Sequence, residues 1–377
     1  MARLITKEQA KEFLEKNNYK SLEYLGQGAF SMVFKGENNL GDEVAVKVIS
    51  DTSESAMDKE LQSVRTIAQM RKTDNSDNNT KLFLAELKDA VEKHWQYKKH
   101  IVNPVIKSEQ KRVITNDSLK EIVSETKSEK DKALLDNWWK DKQSNSNSKD
   151  AKTYILEAEV IPLDLERFTD KNNEGKSVRK LDFALVRKVA KGMLKTLLIL
   201  HNKDQVHLDI KSDNVFASDR KNLLPKFKLG DYGNSTNDKE GAPDLSSNGH
   251  ILAKLIPGFP QNYKENPPTI ADLKKVDIYC VGMTIMEFYA RRANEVETGQ
   301  QLNGKYKIPS GKSYTIEEFK IAKEMLKKSI SECTDNDEKT KMENLLVLIK
   351  NLSKKTPSER WSINKALQCD FLKKVVN

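Results

Sequence analysis

Val206-His207-Leu208-Asp209-Ile210-Lys211-Ser212-Asp213-Asn214-Val215-Phe216 sets a carboxylate, a cation two residues on and an amide five residues on in one short run. Phe227-Lys228-Leu229-Gly230-Asp231-Tyr232-Gly233 follows across a turn-rich segment and adds a second carboxylate beside a glycine. One Asp or one Asn at such a place is a cap or turn residue. Together, Asp209, Lys211, Asn214 and Asp231 supply a group to orient a hydroxyl, a counter-charge for phosphate and two metal ligands.

Toward the N-terminus, Gly26-Gln27-Gly28-Ala29-Phe30-Ser31-Met32-Val33 lies between strand-like runs at Ser21–Leu25 and Met32–Gly36. Glycines there let the backbone close over phosphates with no Cβ in the way, although the same pair serves an ordinary hairpin. Val44-Ala45-Val46-Lys47-Val48 then places a lysine in an otherwise apolar strand. Burying that ammonium is costly without an anionic partner. Glu60, on the helical run that follows, is the best-placed partner; the other reading is an edge strand whose lysine reaches water.

In this order, from residue 21 to about 372, the motifs resemble those of the eukaryotic-type protein kinases. The resemblance implies an α+β, two-lobed protein-kinase-like fold, with a small strand-rich N-lobe over 1–161 and a larger helical C-lobe over 162–377. It implies a protein serine/threonine kinase that moves the γ-phosphate of ATP, with Mg²⁺, onto protein hydroxyls. Gly26 and Gly28 resemble the glycine-rich loop, with Ser31 where a third glycine often stands; Val33, Ala45 and Glu159 join the nucleotide-binding set. Lys47 resembles the strand lysine that holds the α- and β-phosphates. Glu60-Leu61-x-x-Val64-x-x-Ile67 repeats the helix that carries its ion-pair partner. Asp209 takes the place of the catalytic aspartate, Lys211 that of the Ser/Thr-type lysine, and Asn214 and Asp231 those of the metal ligands. Tyr154–Pro162 resembles the last N-lobe strand and hinge, with Ala158 or a neighbour lining the adenine pocket. Glu265 and Arg360 resemble a structural ion pair, and Asp277 marks the central C-lobe helix.

Several positions depart from the family pattern. Leu208 replaces the arginine before the catalytic aspartate, Tyr232 stands for the usual Phe after Asp231, and Tyr263-Lys264 replaces the Ala-Pro before Glu265. Phe259 stands where a threonine is usual. Leu208 cannot pair with a phosphate on the activation segment, which offers Ser235, Thr236, Ser246 and Ser247 as acceptors and Lys239 and Lys254 as substitute anchors. Two other readings stand beside the protein-kinase one: a small-molecule kinase of the aminoglycoside or choline type, and a pseudokinase scaffold. The first shares the Asp…Asn spacing but usually lacks the lysine at 211 and the Asp277 and Arg360 elements.

The 377 residues are 37% hydrophobic and 32% charged, which excludes wholesale disorder. A net charge of +9 is spread among mixed lysines and acids, so no nucleic-acid face is expected. The longest apolar run, Ile278 to Met286, is too short to span a membrane, and the opening residues lack a signal peptide. Cys280, Cys333 and Cys369 form no CxxC pair, which reads as a reducing, cytoplasmic setting, a host cytosol included.

Capping-box spacing at Thr6 and Gln9 predicts an opening helix with Ala10, Phe13 and Leu14 on its apolar side. A third strand is expected at Glu43–Ile49 after an Asn38–Gly41 turn, a helix over 55–70, and a short strand at Ile101–Ile106. Insertions are expected at about 69–98 and 107–151, the second holding Trp138-Trp139 in a short helix and offering a site for a regulatory partner. The polar stretch 140–150 reads as an exposed loop. A strand at Tyr154–Ile161 precedes a helical stripe from Leu181 to Leu200, and helices are expected at 273–291, 315–331, 338–353 and 362–374.

Overall fold

Thr6 Oγ1 accepts from the Gln9 N–H and the Gln9 side chain returns to the Thr6 N–H, so the capping box forms. Helix α1 follows at Lys7–Lys16 with Ala10, Phe13 and Leu14 buried. The structure, a computed structural model, describes residues 2–27, 31–52, 61–62, 64–65, 105–126, 128–141, 148–161, 163–165, 183–217, 227–232, 235–236, 268–297 and 316–373. Gly28, Glu60, the 69–98 stretch, and 237–267 with Phe259 and Glu265 lie outside the described residues, as do Lys239, Lys254, Ser246 and Ser247.

Strands β1 (Lys20–Gln27), β2 (Ser31–Glu37) and β3 (Glu43–Ile49) stand where their alternation predicts them. The β2–β3 turn closes by a Gly41 N–H to Asn38 carbonyl bond of 3.0 Å, with Gly41 at φ 81°. Asn38 Oδ1 takes the Leu40 and Asp42 N–H groups, which is why an asparagine leads this turn.

The next stretch differs from its sequence reading. Strand β4 spans Val105–Thr115 and β5 spans Ser148–Glu159, paired antiparallel, with helices α2 (Asn116–Glu125) and α3 (Glu129–Asp141) between them. Both ends of the 107–151 stretch are therefore sheet strands. Residues 148–150, expected in an exposed loop, pair with Val113, Ile114 and Thr115. Backbone groups make that ladder, so polar side chains do not prevent it.

Among the described residues the front sheet has the order β1-β2-β3-β5-β4. Cross-strand partners share a face. Phe34, Val46, Val48 and Ile155 occupy one face and bury against Ala10, Phe13 and Leu14 of α1. Val33, Lys47 and Leu156 are mutual partners on the opposite face, which Ala45 shares two residues before Lys47. At the Ile49 end of that face, Leu61 and Val64 bury with Tyr154 and Leu156. A separate cluster joins Ala2 and Leu4 to Ile114, Leu135, Trp138 and Trp139, so α2 and α3 pack on the N-terminal segment. Each large side chain buried this way contributes about 1.5–3 kcal/mol.

The described residues from Ile161 onward form a second compact unit. Helix α4 (Phe183–His201) buries Leu185, Val189, Met193, Leu197 and Leu200, the predicted stripe. Strands β6 (Leu163–Asp164), β7 (Val215–Ala217) and β8 (Phe227–Leu229) make a small antiparallel sheet. Helices α5 (Ile270–Glu297), α6 (Ile316–Glu332) and α7 (Asn336–Leu352) match expectation to within a turn, or nearly two at the C-terminal end of α5. The last, α8 (Ile363–Leu367), is shorter than the 362–374 expected, because turns take over from Gln368. Among the described residues no helix is long and apolar enough to cross a membrane.

Candidate active site

Asp209 lies on the loop between α4 and β7, and the other polar groups of that loop converge on it. Lys211 Nζ is 3.4 Å from Asp209 Oδ2, and Asn214 Nδ2 donates to the same oxygen at 3.0 Å. Asn214 Nδ2 also donates to the Asp209 carbonyl at 2.7 Å. Both amide hydrogens of Asn214 are thereby engaged, which leaves Oδ1 for an electron-pair acceptor. A short turn at Ser212–Asn214 delivers that amide, and Asn214 is 4% exposed.

The hairpin register brings the second carboxylate to the same end. Val215 pairs with Leu229, and the Gly230 N–H donates to the Asn214 carbonyl at 3.0 Å. Asp231 comes next, exposed, with φ 58°. An amide oxygen and a carboxylate at one hairpin end fit a hard divalent cation that takes its remaining ligands from phosphate and water. Among the described residues no group of three or more His, Cys, Asp or Glu converges into a closed metal cage.

Central helix α5 anchors the loop. Asp277, fully buried, accepts the His207 N–H and the Leu208 N–H, both at 2.8 Å, and faces His201 Nε2 at 2.9 Å. These bonds hold Leu208 at φ 62°, a conformation that disfavours a side chain. His207 Nε2 sits 3.1 Å from the Gly230 carbonyl, and its Nδ1 accepts the Asp209 N–H at 3.3 Å. A carbonyl only accepts, so the proton belongs on Nε2. One ring thus ties the Asp209 backbone to the residue before Asp231. Tyr232 stacks beside it at 5.0 Å and donates its hydroxyl to the Leu229 carbonyl at 2.7 Å.

The sequence marked Asp277 only as a helix landmark and passed over His201 and His207. The available signal was two histidines at the edges of apolar runs, where burial demands partners.

In the front unit, Lys47 is half-buried in β3, between β2 and β5, which removes the edge-strand reading. Ser31, Val33 and Ala45 share its face by parity, and Ser31 is 3% exposed. Glu159 pairs with Val44, so its side chain belongs to the face opposite Lys47, which departs from its place in the expected nucleotide-binding set. Gly26 marks a register shift in β1, and a Cβ built there meets nothing within 4 Å. Glu60 is outside the described residues, while its neighbour Leu61 is buried against Ile49.

One expectation about control changes and another is unaltered. Ser235, counted among the acceptors, is 5% exposed and donates its hydroxyl to the His207 carbonyl at 3.4 Å, so this conformation closes it to modification. Leu208 packs with Leu273, Val276 and Tyr279 in an apolar cluster, not at a charged anchor. Arg360 is 2% exposed; it donates to the carbonyls of Lys275 and Lys354, both at 2.8 Å, and lies 4.8 Å from the Tyr279 ring. Burial raises the Tyr279 phenol to about 12.

The protein kinase domain family matches residues 106–372, more than half of the chain, and the chain belongs to that family. It is a phosphotransferase of the protein kinase superfamily, with the two-lobed kinase fold and the use of ATP, divalent metal and protein substrate general to that class. The match opens in β4, so Gly26 and Lys47 lie ahead of it. No curated protein matches the chain closely enough to serve as a relative.

Proposed function

We propose that this chain is an active Mg²⁺- and ATP-dependent protein kinase that phosphorylates serine and threonine hydroxyls. The convergence of Lys211 and Asn214 on Asp209 carries the reading. Asp209 orients the substrate hydroxyl and accepts its proton as the oxygen–phosphorus bond forms and the bond to the β-phosphate oxygen breaks. Lys211, about half exposed, offsets charge on the transferred group. Asn214 Oδ1 and Asp231 are the groups that would hold Mg²⁺, which supplies charge neutralisation between phosphates. Lys47, on the same face of the sheet as Val33 and Ala45, is assigned to the α- and β-phosphates.

Transfer to a generic basic protein, with phosphosite mapping, tests the assignment. Asp209→Asn should remove transfer, by at least about 10²-fold, and keep the thermal midpoint. Near wild-type turnover by that variant on a protein substrate would falsify the role. Transfer to a small-molecule alcohol but no protein would favour the small-molecule kinase, and nucleotide binding without transfer the scaffold.

A further inference from the structure

The N-terminal segment ahead of α1 runs against the end of β1. Arg3 Nη1 donates to Gln27 Oε1 at 3.0 Å, and Arg3 Nε donates to the Ile5 carbonyl at 3.0 Å. Gln27 ends β1 and sits between Gly26 and Gly28 in sequence. Tyr24 donates its hydroxyl to the same Gln27 oxygen at 3.2 Å, and the Lys7 ammonium lies 4.8 Å from the Tyr24 ring centre.

The same segment is tied to the chain leaving β3. The Ala2 N–H donates to Asp51 Oδ1 at 2.9 Å, the Leu4 N–H to the Ser50 carbonyl at 2.9 Å, and the Thr52 N–H to the Ala2 carbonyl at 3.0 Å. Helix α2 and strand β4 then clamp it. Glu121 accepts from Gln9 Nε2 at 2.6 Å and from the Thr6 hydroxyl at 3.5 Å, and Glu125 lies beside the Lys7 main chain. Two carboxylates at the start of α1 also suit its positive end. Arg112 donates to the Leu4 carbonyl and, at 3.0 Å, to Gln9 Oε1.

We propose that residues 2–9, seated by α2, form a strut for the glycine turn, and that Arg3 is a positioning residue which sets nucleotide affinity by holding Gln27. The proposal rests on reading Gly26–Gly28 as the phosphate turn. A glycine has more backbone freedom to lose than any other residue when a ligand fixes its conformation. A side chain that fixes its flank beforehand reduces the loss.

The test combines amide hydrogen exchange of residues 20–27 without nucleotide with KM for ATP and kcat, for Arg3→Ala, Gln27→Ala and the double variant. Each single variant should speed exchange at Gln27 and raise KM about three- to tenfold, with kcat within about twofold. The double variant should fall short of the sum of the two singles, because both remove the Arg3–Gln27 contact. Gln27→Ala also frees the Tyr24 hydroxyl, and Arg3→Ala the Ile5 carbonyl. Arg3→Lys, which keeps one donor, should recover part of the affinity. Should Arg3→Ala fail to fold, Gln27→Ala at its solvent-facing site carries the same comparison. Unchanged exchange and unchanged KM overturn the proposal, as do additive effects in the double variant. Faster exchange with unchanged ATP affinity also overturns the positioning role, and in that case the error lies in the phosphate-turn reading and not in the strut.

Discussion

Gly26 and Gly36 belong to the same hairpin and answer to different demands. A Cβ on Gly36 would lie 2.8 Å from Leu22 Cδ2 and 3.1 Å from the Lys20 carbonyl, whereas at Gly26 it would meet nothing within 4 Å. Neither glycine has a positive φ. Gly36→Ala is therefore expected to destabilise by about 1–3 kcal/mol through overpacking. Gly26→Ala should leave stability unchanged or raise it by up to about 1 kcal/mol, while weakening ATP binding. Urea midpoints and KM for ATP check the pair; a Gly26→Ala protein with wild-type KM would show that nothing needs to approach that backbone. At this scale the grouping was legible, since Lys211 and Asn214 both reach Asp209 as their spacing suggested. What holds them was not. Asp277 lies far along the chain from His207, and sequence spacing carries no sign of a bond closed by folding.

The helices and strands with a clear period were read nearly to their ends, from α1 to α7. The region around α2 and α3 was not, because its stabilising contacts run sideways to the N-terminal segment and leave little periodicity within the stretch itself. Leu135 is fully buried there, with Trp138 and Trp139 beside it. Leu135→Ala is expected to cost about 2–5 kcal/mol, the range for a buried leucine replaced by a cavity. Chemical denaturation checks this directly. A loss under about 1 kcal/mol would mean that α3 is a surface appendage whose packing the rest of the unit does not feel.

For the molecule as a whole, ligand linkage offers a measurement independent of turnover. A nucleotide bound only by the folded protein stabilises it by about 2.7 kcal/mol at one hundred times its Kd. ATP with Mg²⁺ should raise the thermal midpoint of the wild type. Asp231→Asn should leave the ligand-free midpoint in place and lose most of the Mg²⁺-dependent part of the rise. An equal rise in both proteins would remove Asp231 from the metal site. The reading of Gly26, Gly28 and Lys47 rests on motif order, since the family match begins only at residue 106. Part of the expected pattern, Glu60 and Glu265 among it, falls outside the described residues, so their pairing with Lys47 and Arg360 stands as a sequence expectation.

The clasp on the N-terminal segment also bears on how the chain folds as it is made. Gln9 meets Glu121 across 112 residues, Arg112 meets Leu4 across 108, and Ala2 meets Asp51 across 49. Residues 2–9 leave the ribosome well ahead of β4 and α2 and meet those partners only after both have been synthesised. Closing so long a loop costs entropy before any contact rewards it, and topologies of this kind fold slowly. Until then Ala2 and Leu4 lack the apolar partners of β4, α2 and α3 on the nascent chain, a window in which chaperone binding or self-association competes with folding.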